Sequence, residues 1–228
     1  MTAPLQAGTV YGVLLNGQAE WDHWSPRMDT TPYQAAPKAP VLYVKTANTW
    51  SASGTAVALP DPAPEVEIGA TLALVVGRDA TAVAPRKALD HVAGYVLVND
   101  WSLPHESFYR PPVRFKNLDG FLGIGPRFAP AAALRDPNSV QLEVHVDGKP
   151  VQTVDLGAMR RLAPQLIADV SEFMTLRRGD VLLLGLGTAQ GGQRPRARVG
   201  QRVDIAPTGR EAARALGTLS QALVKEVA

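Results

Sequence analysis

Apolar and polar positions along this chain follow the period of a strand more often than the period of a helix. Residues 9–15 (TVYGVLL) form an apolar run of strand length, and 40–46 (PVLYVKT) is a β-former stretch that begins at a proline. The longer run 66–77 (VEIGATLALVVG) alternates in part and ends at Gly77, so it reads as a strand. Residues 95–100 (YVLVND) predict a buried strand that finishes on two polar residues, and 180–187 (DVLLLGLG) predicts another. The segments SVQLEVHV and KPVQTVDL flank Asp147-Gly148, a pair that tolerates positive φ and so predicts a two-residue hairpin turn. Helical spacing is confined to fewer places. Residues 84–95 put Ala88, Leu89, Val92 and Ala93 on one face, and 156–180 carries Leu162, Leu166, Val170 and Phe173 at helical intervals. Pro164 fits an early helical position, and Gly179 closes that segment. At the end of the chain, strong helix formers predict a helix from Glu211 to Val227.

The strands do not alternate regularly with helices, which argues against a doubly wound parallel sheet. The pattern instead predicts an α+β fold, β-rich, with rolled mixed sheets and a few covering helices. No internal repeat or dividing linker is visible, so residues 1–228 are expected to form one domain.

Composition narrows the function classes. The chain has 228 residues, 46% hydrophobic and 19% charged, with a net charge of +2 and no cysteine. The absence of cysteine excludes disulfides, thiolate metal sites and cysteine nucleophiles. No Lys/Arg-rich face interleaved with aromatics points to nucleic acid. No apolar run approaches the ~18 residues of a membrane span, and the start shows no signal peptide. A cytoplasmic protein that binds neither nucleic acid nor membrane is the expectation. The densest basic stretch holds Arg194, Arg196 and Arg198 in a Gly/Pro-rich segment, which reads as a solvated loop rather than a phosphate site.

Candidate chemistry begins with Asp100 and Lys116. Asp100 ends an otherwise apolar strand, where a carboxylate must be solvated, paired or coordinated. Lys116 follows in RFKNLDGFLGIGP, a short β-like stretch before a Gly-rich turn. Brought together, the two would supply a hard-metal ligand and an electrophilic or acid/base amine, or simply a buried salt bridge. Spacing alone favours the salt bridge.

The stretches PVLYVKTANTW, AGYVLVNDWS, FYRPPVRFKNLDGFLGIGP and SEFMTLRRGDVLLLG run in an order that resembles the fumarylacetoacetate hydrolase family, over about residues 10 to 226. TPYQAAPKAPVLYVKTANTW followed by NDWSLPHESFYRP resembles more narrowly its isomerase/decarboxylase branch, in the amino-terminal half or separate first subunit. The resemblance implies that Asp100 is a metal-binding aspartate and Lys116 an active-site lysine. It implies that Lys45, Arg110, Asp119 and Gly120 lie near a substrate pocket. It also aligns residues from about Gly217 to Val224 with a closing strand, against the local helical reading.

Departures from the family pattern carry equal weight. Where the family has Glu-x-Glu opening the long strand, this chain has Gly69 and Thr71. Glu65-Val66-Glu67 shows that pattern four residues early, roughly 13 Å along a straight strand. The arginine that follows the Asn-Asp-aromatic motif is replaced by Leu103-Pro104-His105, and the late Thr-Pro turn reads Leu186-Gly187-Thr188-Ala189. A Mg²⁺ or Mn²⁺ site built on Asp100 alone would be weak or absent. Glu20 and His23 fall, with order reversed, where the family's lid carries His and Glu. As an i, i+3 pair they would face the same way and shuttle protons. His91 and His145 read as surface or structural.

The activity implied is isomerisation or decarboxylation of a small di- or tricarboxylic oxo-acid from aromatic ring cleavage, with Lys116 catalytic and Glu20 and His23 as proton carriers. Two other readings stand beside it: a degenerate subunit that pairs with a catalytic paralogue, and an acylpyruvate C–C hydrolase. The expected assembly is a homodimer or a heteromer with a paralogous subunit.

Overall fold

A computed structural model describes residues 8–63, 65–105, 110–187 and 193–226. Strand β1 (Val10–Leu14) leads into the short helix α1 (Gln18–Trp24), and β2 (Val41–Lys45) returns antiparallel to β1 with Lys45 opposite Val10. Next come β3 (Trp50–Ala52), β4 (Ala56–Leu59), β5 (Val66–Glu67) and β6 (Ala70–Val76). Helix α2 (Pro85–Ala88) precedes β7 (Val92–Asp100), and the helical turn α3 (Val113–Lys116) precedes β8 (Leu122–Pro130). The hairpin of β9 (Gln141–Val146) and β10 (Lys149–Asp155) is followed by helix α4 (Ala163–Phe173) and β11 (Val181–Leu183). The chain closes with β12 (Arg196–Ala197), β13 (Arg202–Pro207), α5 (Arg210–Leu216) and β14 (Leu219–Lys225).

Among the described residues the strands form a seven-stranded sheet ordered β2-β1-β11-β6-β7-β8-β3, a five-stranded sheet ordered β10-β9-β13-β14-β4, and the pair β12-β5. Both larger sheets are mixed: β1 runs parallel to β11, β3 to β8 and β14 to β4. The fold is α+β, with curled mixed sheets and few helices. No helix among the described residues is long and apolar enough to cross a membrane.

The two central strands explain why their sequences read as continuous apolar runs. Leu72, Leu74, Tyr95 and Leu97 pack into the large core shared with the second sheet, while Ala73, Val96 and Val98 join a smaller cluster on the opposite face. Successive strand residues point to opposite faces, so a strand covered on both sides has no polar alternation to show. β9 has one covered face and keeps its alternation: Leu142, Val144 and Val146 are buried, while Gln141 and Glu143 are exposed.

Several expectations are corrected. The helix expected over 84–95 stops at Ala88 and continues only as a 3-10 turn, because Val92 onward pairs with β6 on one side and β8 on the other. Two hydrogen-bonded ladders outweigh a helix propensity of a few tenths of a kcal/mol per residue. The helix expected over 156–180 is confined to Ala163–Phe173, and Leu162 (42%) and Phe173 (56%) are exposed; Ile167 joins Leu166 and Val170 inside. Lys116 sits on a helical turn rather than in a β-like stretch. The late strand ends at Leu183, ahead of Gly185, whose φ is 110°. At the carboxy terminus helix α5 ends at Leu216 before Gly217 (φ 71°), and the strand implied by the resemblance follows as β14. The hairpin turn is as expected, with Asp147 (φ 51°) and Gly148 (φ 76°) both left-handed.

Candidate active site

Asp100 is the last residue of β7 and is fully buried. Its Oδ2 accepts from Lys116 Nζ at 2.7 Å and from the Tyr43 hydroxyl, and Lys45 Nζ lies 3.0 Å from Oδ1. Burial alone would raise the Asp100 pKa, but the Lys116 and Lys45 ammoniums hold it well below the usual carboxylate range. Tyr43 reaches this carboxylate because Gly12 on β1 leaves room for its ring; a Cβ there would lie 2.0 Å from the Tyr43 ring carbon. Burial and the Asp100 charge push the Tyr43 pKa up, so its phenol stays a hydrogen-bond donor.

The two lysines play different parts. Lys45 Nζ donates to the carbonyls of Phe121 (2.8 Å) and Lys116 in addition to its ion pair with Asp100. An ammonium has three donors, so Lys45 has none left for a substrate. It is a strut between β2, β7 and the chain after α3. Lys116 is bound by Asp100 alone among the described residues, with Nζ 4.6 Å from the centroid of the Tyr43 ring. Burial, opposed by Asp100, pushes its pKa down to about 8. Lys116 is therefore a buried cation with uncommitted N–H groups beside a permanent carboxylate.

Glu20 enters this centre from α1. Asn16 fixes the start of that helix: its Nδ2 donates to Leu184 O (2.6 Å) and Arg161 O (3.0 Å), and its Oδ1 accepts from Arg161 N (3.0 Å). Gly17 then passes so close to the Leu186 carbonyl that a Cβ would sit 2.5 Å from it. The Glu20 carboxylate is buried and accepts from Leu15 N at 2.9 Å. Burial raises its pKa, opposed first by the charge of Arg194 and then by Lys116. His23 is not its partner. Among the described residues no ion pair joins the two side chains, and His23 is half-buried with its ring set edge-on to Trp24 at 5.4 Å. Trp21, under the Arg160 guanidinium at 3.3 Å, anchors the same helix.

The remaining expected residues are spread around the centre. Arg110 is exposed on the rim of a groove of about 480 Å³ that has Tyr43 and Lys116 in its wall. Asp119 and Gly120 form a turn beside it: Asp119 accepts from Asn48 (2.7 Å), and the Gly120 carbonyl accepts from Ser51 (2.7 Å). That turn shapes the route from α3 into β8 and does not line the groove. Thr188 and Ala189 lie outside the described residues.

Arg194 is the residue that local reading missed. It is not solvated but 9% exposed, with Nη2 3.0 Å from Glu67 Oε2, and its charge acts on Glu20, Tyr43, Lys45, His105 and Lys116. His105, stacked on Phe115 at 5.0 Å, is pushed down in pKa by burial. Arg196 and Arg198 remain near the surface and pair with Glu65.

The register shows why the expected carboxylate cage is not built. β7 pairs with β6 so that Thr71 faces Val98; the same ladder continues with Gly69 beside Asp100 and Glu67 beside Ser102. Residues 67, 69 and 71 share one face of the strand. A Cβ at Gly69 would lie 2.2 Å from the Asp100 carbonyl oxygen, so no side chain fits there without displacing β7. The Thr71 hydroxyl is committed to the Gly185 carbonyl at 2.6 Å. Glu67, one step further out, is held by Arg194 and Arg196. Asp100 already faces two ammoniums. No group of three or more Asp, Glu or His side chains suited to a metal occurs among the described residues. This donor set, with Asp100 paired to two ammoniums and no second carboxylate beside it, does not fit a resident Mg²⁺ or Mn²⁺.

A buried lysine–aspartate centre on curled mixed sheets, with a buried carboxyl of raised pKa under its charge, is the arrangement that the comparisons place in a family. A family profile described as fumarylacetoacetate (FAA) hydrolase C-terminal matches residues 9–224, and the chain belongs to the fumarylacetoacetate hydrolase family. It is 38% identical over 183 residues to the 4-hydroxyphenylacetate degradation bifunctional isomerase/decarboxylase of Escherichia coli, covering 80% of this chain and 42% of that protein. The chain thus spans less than half the length of that relative, and it matches the carboxy-terminal half rather than the amino-terminal half expected from the sequence. It is 30% identical over 180 residues to the mitochondrial oxaloacetate tautomerase FAHD1 of Arabidopsis thaliana, covering 77% of this chain and 78% of the relative. Among solved structures, the 5-carboxymethyl-2-hydroxymuconate delta-isomerase of Mycobacterium smegmatis superposes with a TM-score of 0.76 at 27% identity, covering 99% of this chain and 82% of that one. Two neighbours that share the fold at 24% and 21% identity were solved with manganese and pyruvate.

Proposed function

We propose that this chain isomerises a small oxo-acid bearing one or more carboxylates by a proton shift between keto and enol or dienol forms, with no resident metal ion. The observation that carries the reading is the placement of Glu20, a buried carboxyl with a raised pKa, within the field of the Lys116 ammonium. From the keto form the Glu20 carboxylate takes the proton from the carbon next to the substrate carbonyl; from the dienol it takes the hydroxyl proton, and the same dienolate results. The C–H electrons move into the new C=C bond, and the carbonyl oxygen gains the charge. Lys116 stabilises that oxyanion with an N–H not used by Asp100. Glu20 then returns the proton to a conjugated carbon. Asp100 holds the ammonium in place and stays ionised throughout. Relatives named isomerase/decarboxylase and tautomerase support the reading, since enolates lie on the paths of all these reactions. The same oxyanion contact would serve loss of CO₂.

The test is turnover of a ring-cleavage dienol, 2-hydroxyhepta-2,4-diene-1,7-dioate, followed by the loss of its ultraviolet absorbance. The purified chain is expected to act above the solvent rate in EDTA, with little gain from Mg²⁺ or Mn²⁺. A strict metal requirement would overturn the metal-free site. No turnover under either condition would overturn the enzyme reading in favour of a subunit that scaffolds a catalytic paralogue.

A bell-shaped rate profile is expected from the same two groups. Activity should rise above the ordinary carboxyl range as Glu20 ionises, and fall through about pH 8 as Lys116 loses its proton. Glu20→Gln should remove the acid limb. A flat profile from pH 6 to 9 in the parent chain would contradict these assignments.

A further inference from the structure

Arg194 has a donor that nothing among the described residues satisfies. Its guanidinium is held by Glu67 through Nη2 at 3.0 Å, yet Nη1 is buried without a hydrogen-bond partner. Leaving a buried charged donor unpaired costs more than the net worth of an ordinary hydrogen bond, so such a group in a folded protein calls for an occupant. The backbone after it is pinned by hydrogen bonds: Ile68 N donates to Pro195 O at 2.8 Å, and Arg196 and Ala197 pair with Glu67 and Val66. Arg194 is therefore held at the face of the strand that carries Gly69 and Thr71, beside the end of β7.

We infer that Arg194 is the anchor for a carboxylate of the substrate, a small 2-oxo-acid, with Nη1 and the Lys116 ammonium bracketing its carboxylate and carbonyl oxygens. The inference rests on the proton-shift reading for the identity of the substrate and adds the group that recognises it. Physically, the site replaces one divalent ion by two fixed cations. Glu67 is two residues, roughly 7 Å, along the strand from Gly69. In that place it holds a guanidinium instead of a metal. Arginine suits the task, because its planar fork presents paired N–H groups to a carboxylate and keeps its charge at every accessible pH. The charges of Arg194 and Lys116 both act on the buried Glu20 carboxyl and oppose the rise that burial gives its pKa.

The experiment measures binding, which keeps it separate from turnover. Oxalate, a planar dianion shaped like an enolised 2-oxo-acid, is titrated calorimetrically into the full chain in EDTA. The parent chain is expected to bind it. Arg194→Met combined with Glu67→Gln removes the cation and its counter-ion together, so no lone buried charge remains; affinity should fall about 10- to 100-fold. Arg194→Lys keeps the charge but loses the fork, and should fall less. Circular dichroism and melting temperature report whether each variant is folded. Unchanged oxalate affinity in a folded Arg194→Lys and in the double variant would overturn the inference, as would a parent chain that binds oxalate only with a divalent ion. Failure of dienol turnover with oxalate binding intact would instead count against the proton-shift reading alone.

Discussion

Asp100→Asn is expected to destabilise the protein by about 3–5 kcal/mol, the range found when one member of a buried ion pair is removed. The carboxylate is the only negative group in direct contact with both the Lys45 and Lys116 ammoniums among the described residues. An amide cannot offset either charge. Both lysines are almost wholly buried, so neither charge is offset by bulk water. Against a typical total stability of roughly 5–15 kcal/mol, that loss would bring the chain near unfolding. Urea denaturation at neutral pH measures it. A shift below about 1 kcal/mol would show that the triad relaxes easily. The sign of the pH dependence follows from the same contacts. The folded Asp100 pKa is depressed below the ordinary value of 3.8, so its contribution is fully present above that value. It is lost as pH falls through the depressed folded pKa. Acidification from neutrality to about pH 5 should therefore leave this term intact.

Lys116→Met should have the opposite balance, with a large effect on rate and a smaller one on stability. Asp100 keeps its contacts with Lys45 and Tyr43 when Lys116 is lost. The methionine side chain also retains the apolar stem that packs toward the Tyr43 ring. Removing a single oxyanion donor typically costs about 10²- to 10³-fold in kcat, and a loss at or beyond the upper end is expected because the donor is a full charge. An interaction that strengthens only as the enolate forms lowers kcat and kcat/KM together. Steady-state kinetics on the dienol separates the cases: a raised KM with unchanged kcat would assign Lys116 to substrate binding alone. Compared directly, Asp100→Asn should be the less stable variant and Lys116→Met a folded protein with little activity.

The strands and the core were largely legible from the chain, because burial imposes a pattern that sequence records. β1, β2, β7 and the β9–β10 hairpin lie where apolar runs and the Asp147-Gly148 turn predict them. Asp100 and Lys116 could be singled out, since a carboxylate at the end of an apolar strand has few tolerable environments. Their meeting at 2.7 Å, and the way Lys45 spends its donors on Phe121, Lys116 and Asp100, depended on strands far apart in sequence. Local propensity could not show that Val92 leaves a helix, because pairing on both sides of β7 outweighs it. The same holds for the missing glutamates. The sequence by itself reveals Gly69 and Thr71, but only the register shows that a side chain at 69 would strike the Asp100 carbonyl. Arg194 is the clearest division between the two. Its composition-rich surroundings of glycine, proline and arginine predict a solvated loop. The pairing of β12 with β5 instead carries it to Glu67 and buries it. Burial is a property of what arrives from elsewhere in the chain, and no local window contains it.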